Sequence, residues 1–470
     1  MKGLRALGIV LLVFIILTIF IMVASQAVLP KTGISTSELI PISLEGVKRI
    51  LILAPHSDDE TLGSGGLIQA AVQAGIQVQV VIATNGDGYH LATSKEFRKF
   101  SPGAKDYIRM GEVRQQESLA ALAKLGVPAE NVHFLGYPDR GTLALWQRNW
   151  SPSTPYTSPY IHANHSPYKN TYNRSSVYAG EDFLADVFSI IDGYRPDLVI
   201  YPHPEDVHPD HWGLNAFTRL ALTEISHMDS AYQPEQLTYL VHRPDYPVVK
   251  GLRPAANLIP PPALYAIYQN WVSWNLTPDQ VNVKGQAVQA YRSQLPLLRN
   301  LMVSFVRSNE LFAPVTSADM PTVEYGKPLD PSTWQDLLGR PIPPVQLDPT
   351  GDIFSHQTVP EIDLKAVYTA RSPDGILWMC AQLDGKAARE MSYSLRLKSL
   401  TESNILSYEA RTRPKRGQVA VTRSGEYFCA QIPLADLGNP WAVTLAATVE
   451  SPNSIIPFDQ TAWQVVYVRP

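Results

Sequence analysis

The sequence predicts a mostly parallel α/β sheet with helices on both faces, then an all-β sandwich-like domain, with one transmembrane helix at the N-terminus. Three observations carry this. Short continuous apolar runs alternate with helical periodicities between residues 48 and 242, the pattern of strands joined by crossover helices. Beyond residue 356 only strand-like runs separated by turn residues occur. Residues 7–28 contain no charge.

That N-terminal run is long enough to span a hydrocarbon core of about 30 Å as a helix. Lys2 and Arg5 precede it, so the positive-inside bias places the first residues in the cytoplasm and the remainder outside. A signal anchor over residues 1–30 is expected, with secretion as the alternative if cleavage follows Ser25-Gln26-Ala27.

Next, KRILILA reads as a strand buried on both faces, PHSDDETLGSGG as a polar turn, LIQAAVQAG as a helix and VQVVIATNG as a second buried strand. RMGEVRQQESLAALAKLG continues as a helix, NVHFLG as a strand, EDFLADVFSIIDGY as a helix and PDLVIYPH as a strand. WGLNAFTRLALTEI and QLTYLVH give a further helix and strand. Residues 140–180 interrupt the rhythm; rich in Tyr, Pro, Ser, Asn and His, with Trp146 and Trp150, they are expected to form an ordered flap. Residues 316–355 are expected to be a Pro-rich linker, and 356–470 the β-domain, in which Cys380 and Cys429 occupy the similar strands WMCAQL and YFCAQI.

The composition removes other classes. Two cysteines exclude a disulfide scaffold or a multi-Cys zinc ribbon. A net charge of −4 with interspersed signs offers no basic field, so nucleic acid is not an expected partner. GSGG at 63–66 lacks the third glycine of a dinucleotide loop, because position 68 is Ile68. No GxSxG elbow is present, and neither cysteine neighbours the histidine clusters.

Two clusters carry chemistry. His56-Ser57-Asp58-Asp59-Glu60 follows the first strand, and His203 to His211 follows the fourth, ending in His208-Pro209-Asp210-His211. In a doubly wound sheet, strand ends converge on one crevice. Imidazole and carboxylate donors with an open position suit catalytic Zn²⁺, although the residue types leave another divalent metal open. Acidic residues after a strand also serve as helix N-caps, and Asp59 or Glu60 could do only that.

On these residues the chain resembles the PIG-L/LmbE-type N-acetylglucosaminyl deacetylases. The first cluster matches that family's H-P-D-D-E, with Ser57 in place of Pro, and the second matches its H-x-D-H. Thr84-Asn85-Gly86, Arg114 with Glu117, LGYPD at 135–139, YRSQ at 291–294 and FVRSNELF at 305–312 are also similar. The resemblance covers residues 46–315 and implies a Rossmann-like, zinc-dependent de-N-acetylase acting on an N-acetylated amino sugar. Carried over position by position, it implies His56, Asp59 and His211 as metal ligands, Asp58 as general base for the attacking water, and His208 as oxyanion stabiliser or general acid. Asp210, Arg114 and Asn85 are expected in supporting or substrate-binding places, with Asp210 bonded to His208 or His211. An Arg114–Glu117 helix-surface pair is the alternative for Arg114, and His203, Glu205 and Asp206 read as a solvated loop. The whole reads as a membrane-anchored, extracytoplasmic enzyme. A zinc hydrolase of another amide, or a non-catalytic glycan-binding protein, are the alternatives.

Overall fold

The computed structural model describes residues 39–268, 270–351, 359–450 and 457–469. An eight-stranded sheet builds the first unit. Its strands are β1 (Ile40–Pro41), β2 (Arg49–Ala54), β3 (Gln77–Thr84), β4 (Val132–Tyr137), β5 (Leu198–Pro202), β6 (Glu235–Tyr239), β7 (Val272–Asn275) and β8 (Asn309–Pro314). The spatial order is β1-β7-β8-β6-β5-β2-β3-β4. From β4 to β6 the pairing is parallel, while β8 returns antiparallel to β6 and β7 antiparallel to β8.

The central strands are apolar on both faces because both are covered. Ile50 and Ile52 enter one core with Val80 and Ile82. Leu51 and Leu53 point the other way and enter a second core with Val81 and Val199. Helices α1 (Asp59–Gln73), α2 (His90–Phe97), α3 (Ala104–Lys124), α4 (Thr142–Gln147), α5 (Gly180–Tyr194) and α6 (Pro209–Met228) connect the strands. The α1 residues Leu62, Leu67 and Ile68 belong to the first core; Phe183 of α5 and Phe217 of α6 belong to the second. Strand β2 thus feeds a helix on one face and its neighbour β5 feeds a helix on the other. The strand order reverses between them, the place where open α/β sheets open a crevice.

The glycines of GSGG serve packing in α1. A Cβ on Gly63 would stand 2.6 Å from the Tyr239 ring, and one on Gly66 would stand 2.3 Å from Leu276. Further along α1, a buried ion pair enters the helix ladder. Lys284 Nζ donates to Leu62 O at 2.8 Å and to Glu310 Oε1 at 2.6 Å. Glu310 in turn accepts from the backbone N–H of Gly66 and Leu67 at 2.6 and 2.8 Å. Both side chains are fully buried. Lys284→Met would leave the Glu310 carboxylate without its cation, a loss of about 3–5 kcal/mol for a buried pair. The expected outcome is a large fall in the urea midpoint; an unchanged midpoint would mean that the pair does not brace α1.

The C-terminal unit is a sandwich of a five-stranded and a seven-stranded sheet. Leu377 and Met379 of the first share one core with Leu395 and Leu445 of the second. Cys380 and Cys429 face each other across antiparallel strands and form a disulfide. The described part of the expected linker is structured. Tyr325–Lys327 and Asp330–Gln335 form a hairpin, Ala318–Asp319 joins the seven-stranded sheet, and Gln346–Leu347 joins the five-stranded one.

The expected transmembrane segment at 1–30 lies outside the described residues. No helix among the described residues is long and apolar enough to cross a membrane. The longest, α3, carries charges throughout, from Lys105 and Asp106 to Lys124. The fold class is corrected accordingly: among the described residues it is the α/β sheet and the β-sandwich, with no transmembrane helix. The membrane-anchored localisation that rested on that helix is withdrawn with it.

The flap expectation also changes. Trp146 is 1% exposed and packs edge-on against Phe217 and against Trp463 of the sandwich, with ring centroids 4.8 and 5.2 Å apart. Trp150 lies parallel to Phe217. These rings pack between the two units and do not form a flap.

Candidate metal centre and its pocket

The two histidine clusters meet at the crevice between β2 and β5. Asp59 opens α1, and His208 is the N-cap of α6, its Nδ1 accepting from the N–H of Asp210. His56, Asp59, His211 and His242 bring one donor atom each to within 4.8 Å of one another. Asp59 Oδ2 lies 3.1 Å from His56 Nδ1 and 3.0 Å from His211 Nε2, and Asp59 Oδ1 lies 3.6 Å from His242 Nε2. A tetrahedral shell with bonds of about 2.0–2.1 Å sets its donors about 3.3–3.4 Å apart. The spacings from Asp59, 3.0–3.6 Å, bracket that value. Asp59 Oδ1 is also buried with no hydrogen-bond partner, an acceptor that a cation would satisfy.

Carboxylates stand behind two of the imidazoles. Asp206 Oδ2 is 3.1 Å from His211 Nδ1 and also accepts from the N–H groups of Val241 and His242 at 3.1 and 2.9 Å. Asp210 Oδ2 is 3.2 Å from His56 Nε2, and Asp139 Oδ1 is 3.4 Å from the same nitrogen. Such outer partners orient metal-binding imidazoles. Asp210 therefore supports His56 through its side chain, where sequence adjacency pointed to His208 or His211. It also accepts from Arg140 N, Thr142 N and Thr142 Oγ1 at 2.6, 3.1 and 2.7 Å, tying α4 to the site.

Burial works against a charge on His211, yet Asp206 and Asp59 overcome it and push its pKa up to about 9. The field that attracts a proton there attracts a cation equally. Burial would raise Asp59, but His211 and its hydrogen bonds hold it well below the usual carboxylate range. Burial and the neighbouring His56 and His242 push His208 well below the ordinary imidazole value. His208 is thus neutral, and with Nδ1 accepting, its proton sits on Nε2.

Asp58 is strained and buried. Its φ is 123°, a rare conformation for a non-glycine residue. Burial, opposed by Arg114 and reinforced by Asp59 and Glu60, pushes its carboxyl up to about 8. Arg114 is 4% exposed and spans the site. It donates to Ser57 O at 2.6 Å, Gly86 O at 3.1 Å and Asp58 Oδ2 at 3.3 Å. It does not pair with Glu117, which accepts from Ser293 N and Oγ, both at 2.7 Å. Asn85 Oδ1 accepts from Gln115 Nε2 at 3.2 Å, leaving its buried Nδ2 without a partner.

His56, Asp58, Arg114, Asp139, His208 and His242 line a cavity of about 180 Å³. Gly86 controls one wall. Its φ is +62°, and a Cβ there would stand 1.7 Å from Arg114 Nη1. Gly86→Ala must displace the guanidinium and lose charge-assisted hydrogen bonds, each about 1.5–3 kcal/mol. The expected result is a fall in kcat/KM of about tenfold or more at unchanged metal content. Full activity would show that Arg114 is not needed in place.

The weaker similar segments brace the site from behind. Tyr291 Oη lies 2.5 Å from Glu60 Oε1 and 2.7 Å from Thr61 Oγ1. His203, Glu205 and Asp206, expected in a solvated loop, are buried. Asp206, Asp139 and His242 were missed as site residues. Asp206 stands inside the second cluster and Asp139 ends the LGYPD segment, whereas His242 closes the apolar run QLTYLVH with no motif around it.

Comparisons with known proteins agree with the strand-end motifs. A protein of Mycobacterium sp. (strain KMS), named 1D-myo-inositol 2-acetamido-2-deoxy-alpha-D-glucopyranoside deacetylase, is 32% identical over 184 residues, 39% of this chain and 52% of its own length. The protein of the same name from Mycobacterium sp. (strain JLS) gives the same figures. The chain thus spans about half the length of the curated relatives it matches. The solved N,N'-diacetylchitobiose deacetylase from Pyrococcus horikoshii is 18% identical, covering 58% of this chain and 85% of that one, with a TM-score of 0.37. Residues 51–222 match the family described as PIG-L: GlcNAc-PI de-N-acetylase. That segment contains both histidine clusters, Arg114 and Asp139.

Proposed function

We propose that this protein is a zinc-dependent de-N-acetylase that hydrolyses the acetamide of an N-acetylated amino sugar to acetate and a free amine. The observation that carries this is the convergence of His56, Asp59 and His211 in one buried centre, with Asp58 and His208 beside them on the wall of the same cavity. His56, Asp59 and His211 would hold the ion, and His242 stands within reach as a fourth donor. Nitrogen and carboxylate donors in this number suit Zn²⁺. A bound Zn²⁺ polarises a carbonyl and acidifies water.

The residues supply the rest. Asp58, held by Arg114 and aimed into the cavity, takes the proton of the attacking water. His208 presents its Nε2–H to the oxygen on which charge develops, and the proton that Asp58 has taken passes to the departing amine. Asp206 and Asp210 keep the imidazoles of His211 and His56 in orientation. The name shared by the Mycobacterium relatives specifies a 2-acetamido-2-deoxy sugar, which supports this class of substrate here.

The test is acetate release from N-acetylglucosamine oligomers compared with simple acetamides, before and after chelation and zinc return. Sugar-dependent release that chelation abolishes and zinc restores is expected. Equal release from simple acetamides would move the assignment to a general amide hydrolase. No release from either by folded, metal-loaded protein would overturn it.

A further inference from the structure

A second cavity, of about 770 Å³, lies between the end of α4 and the strands Ser392–Leu400 and Ile405–Arg411 of the sandwich. Its size falls in the range of small-ligand sites, about 300–1,000 Å³. One wall residue poses a problem of charge. Lys398 is 1% exposed, yet among the described residues no carboxylate lies within ion-pair distance of it. Its ammonium has Ser407 Oγ at 2.8 Å and the faces of Trp150 and Trp146 at 3.4 and 4.8 Å. A hydroxyl and two rings do not replace a counter-ion, and burial accordingly pulls this amine well below its ordinary pKa.

The rest of the cavity adds to the surplus. Arg396 and Arg411 are neutralised by Glu409 and Glu450, with contacts of 2.6–2.9 Å. Arg148 and Lys415, both exposed on the cavity wall, form no ion pair among the described residues. Among the described residues, three basic side chains therefore face the cavity without a carboxylate partner, against one unpaired carboxylate on its wall, Asp436. Between them stand side chains that both donate and accept, such as Gln418 and the Arg396–Glu409 pair, which suit hydroxyl groups better than an apolar ligand.

We infer that this cavity binds an anionic saccharide, a sugar carrying a carboxylate or phosphate that pairs with Lys398, Arg148 and Lys415. The β-sandwich then acts as a binding module, and the site is independent of the proposed deacetylation. α4 lies between them, since Thr142 at its start bonds Asp210 while Trp146 and Gln147 at its end line the cavity.

The test is calorimetric titration of the full chain with trigalacturonate, glucose 6-phosphate, neutral chitotriose and inorganic sulfate. Binding of one or both anionic sugars, with chitotriose and sulfate at least tenfold weaker, is expected, and the better of the two identifies the charged group. Lys398→Met keeps the aliphatic stem and should weaken that binding at least tenfold. Because Lys398 is buried, the exposed pair Arg148→Gln with Lys415→Gln provides a second reading and should weaken it several-fold. No binding of either anionic sugar, equal binding of chitotriose, or unchanged affinity in the double variant would overturn the inference. Acetate release measured on the same samples keeps failure of this site distinct from failure of the catalytic one.

Discussion

Asp58→Asn is expected to abolish acetate release while the protein stays folded and keeps its metal. A general base contributes about 10²–10⁴-fold, so kcat should fall by that amount. Asn has nearly the same shape and can still receive the Arg114 guanidinium at Oδ1, and Arg114 also keeps its bonds to Ser57 O and Gly86 O. The backbone N–H of residue 58 keeps Glu60 Oε2 at 3.0 Å, so the strained turn does not depend on the carboxylate. Asp58 is absent from both groups of converging donors; only proton transfer is removed. Steady-state kinetics, metal analysis and a thermal midpoint on one preparation check this. Unchanged kcat would refute the role of Asp58, and loss of metal with activity would turn it into a ligand or a support of one.

The α/β frame could be read from sequence because buried parallel strands are written as continuous apolar runs. Both faces of KRILILA meet a core, so no alternation competes with the strand reading. The sheet extends further than those runs indicate. β7 is only four residues, VSWN, with partial exposure, and β1 is two residues; neither carries a periodicity. The same limit governs the site. His56, Asp59 and His211 stand in two compact motifs at strand ends, and the sheet order brings those ends together. Asp139 ends LGYPD just after β4, a short segment that by itself does not mark a metal partner, and His242 follows β6 with no motif of its own; tertiary packing carries both to the centre. The aromatic residues of 140–180 misled for a related reason. Trp146 and Trp150 sit in a polar, irregular segment, yet the sandwich packs Trp463 against Trp146 and Lys398 over Trp150, contacts about 250 to 300 residues away that no local pattern encodes.

His211→Ala should remove the metal, and so should His56→Ala, although the two residues lie on opposite sides of the strand-order reversal. Metal affinity is expected to fall by more than about 100-fold, the upper range for loss of an outer partner alone. Asp206→Asn, which alters only what stands behind His211, should cost about 10–100-fold. The two groups of converging donors separate on His208. One contains His56, Asp59, His211 and His242; the other contains His56, His208 and Asp210. The first is favoured on hydrogen bonding. Both Asp210 oxygens already accept from Arg140 and Thr142, while Asp59 Oδ1 has no partner. A buried acceptor left unsatisfied costs about 1–3 kcal/mol, which a cation at Asp59 would relieve and one at Asp210 would not. His208→Ala is therefore expected to keep about one metal per chain and lose turnover, whereas His211→Ala loses both. Metal content after dialysis, with chelator competition for affinity, reads the difference directly. Full metal in His211→Ala and none in His208→Ala would transfer the centre to the second group and return Asp59 to the plain role of a helix N-terminal carboxylate.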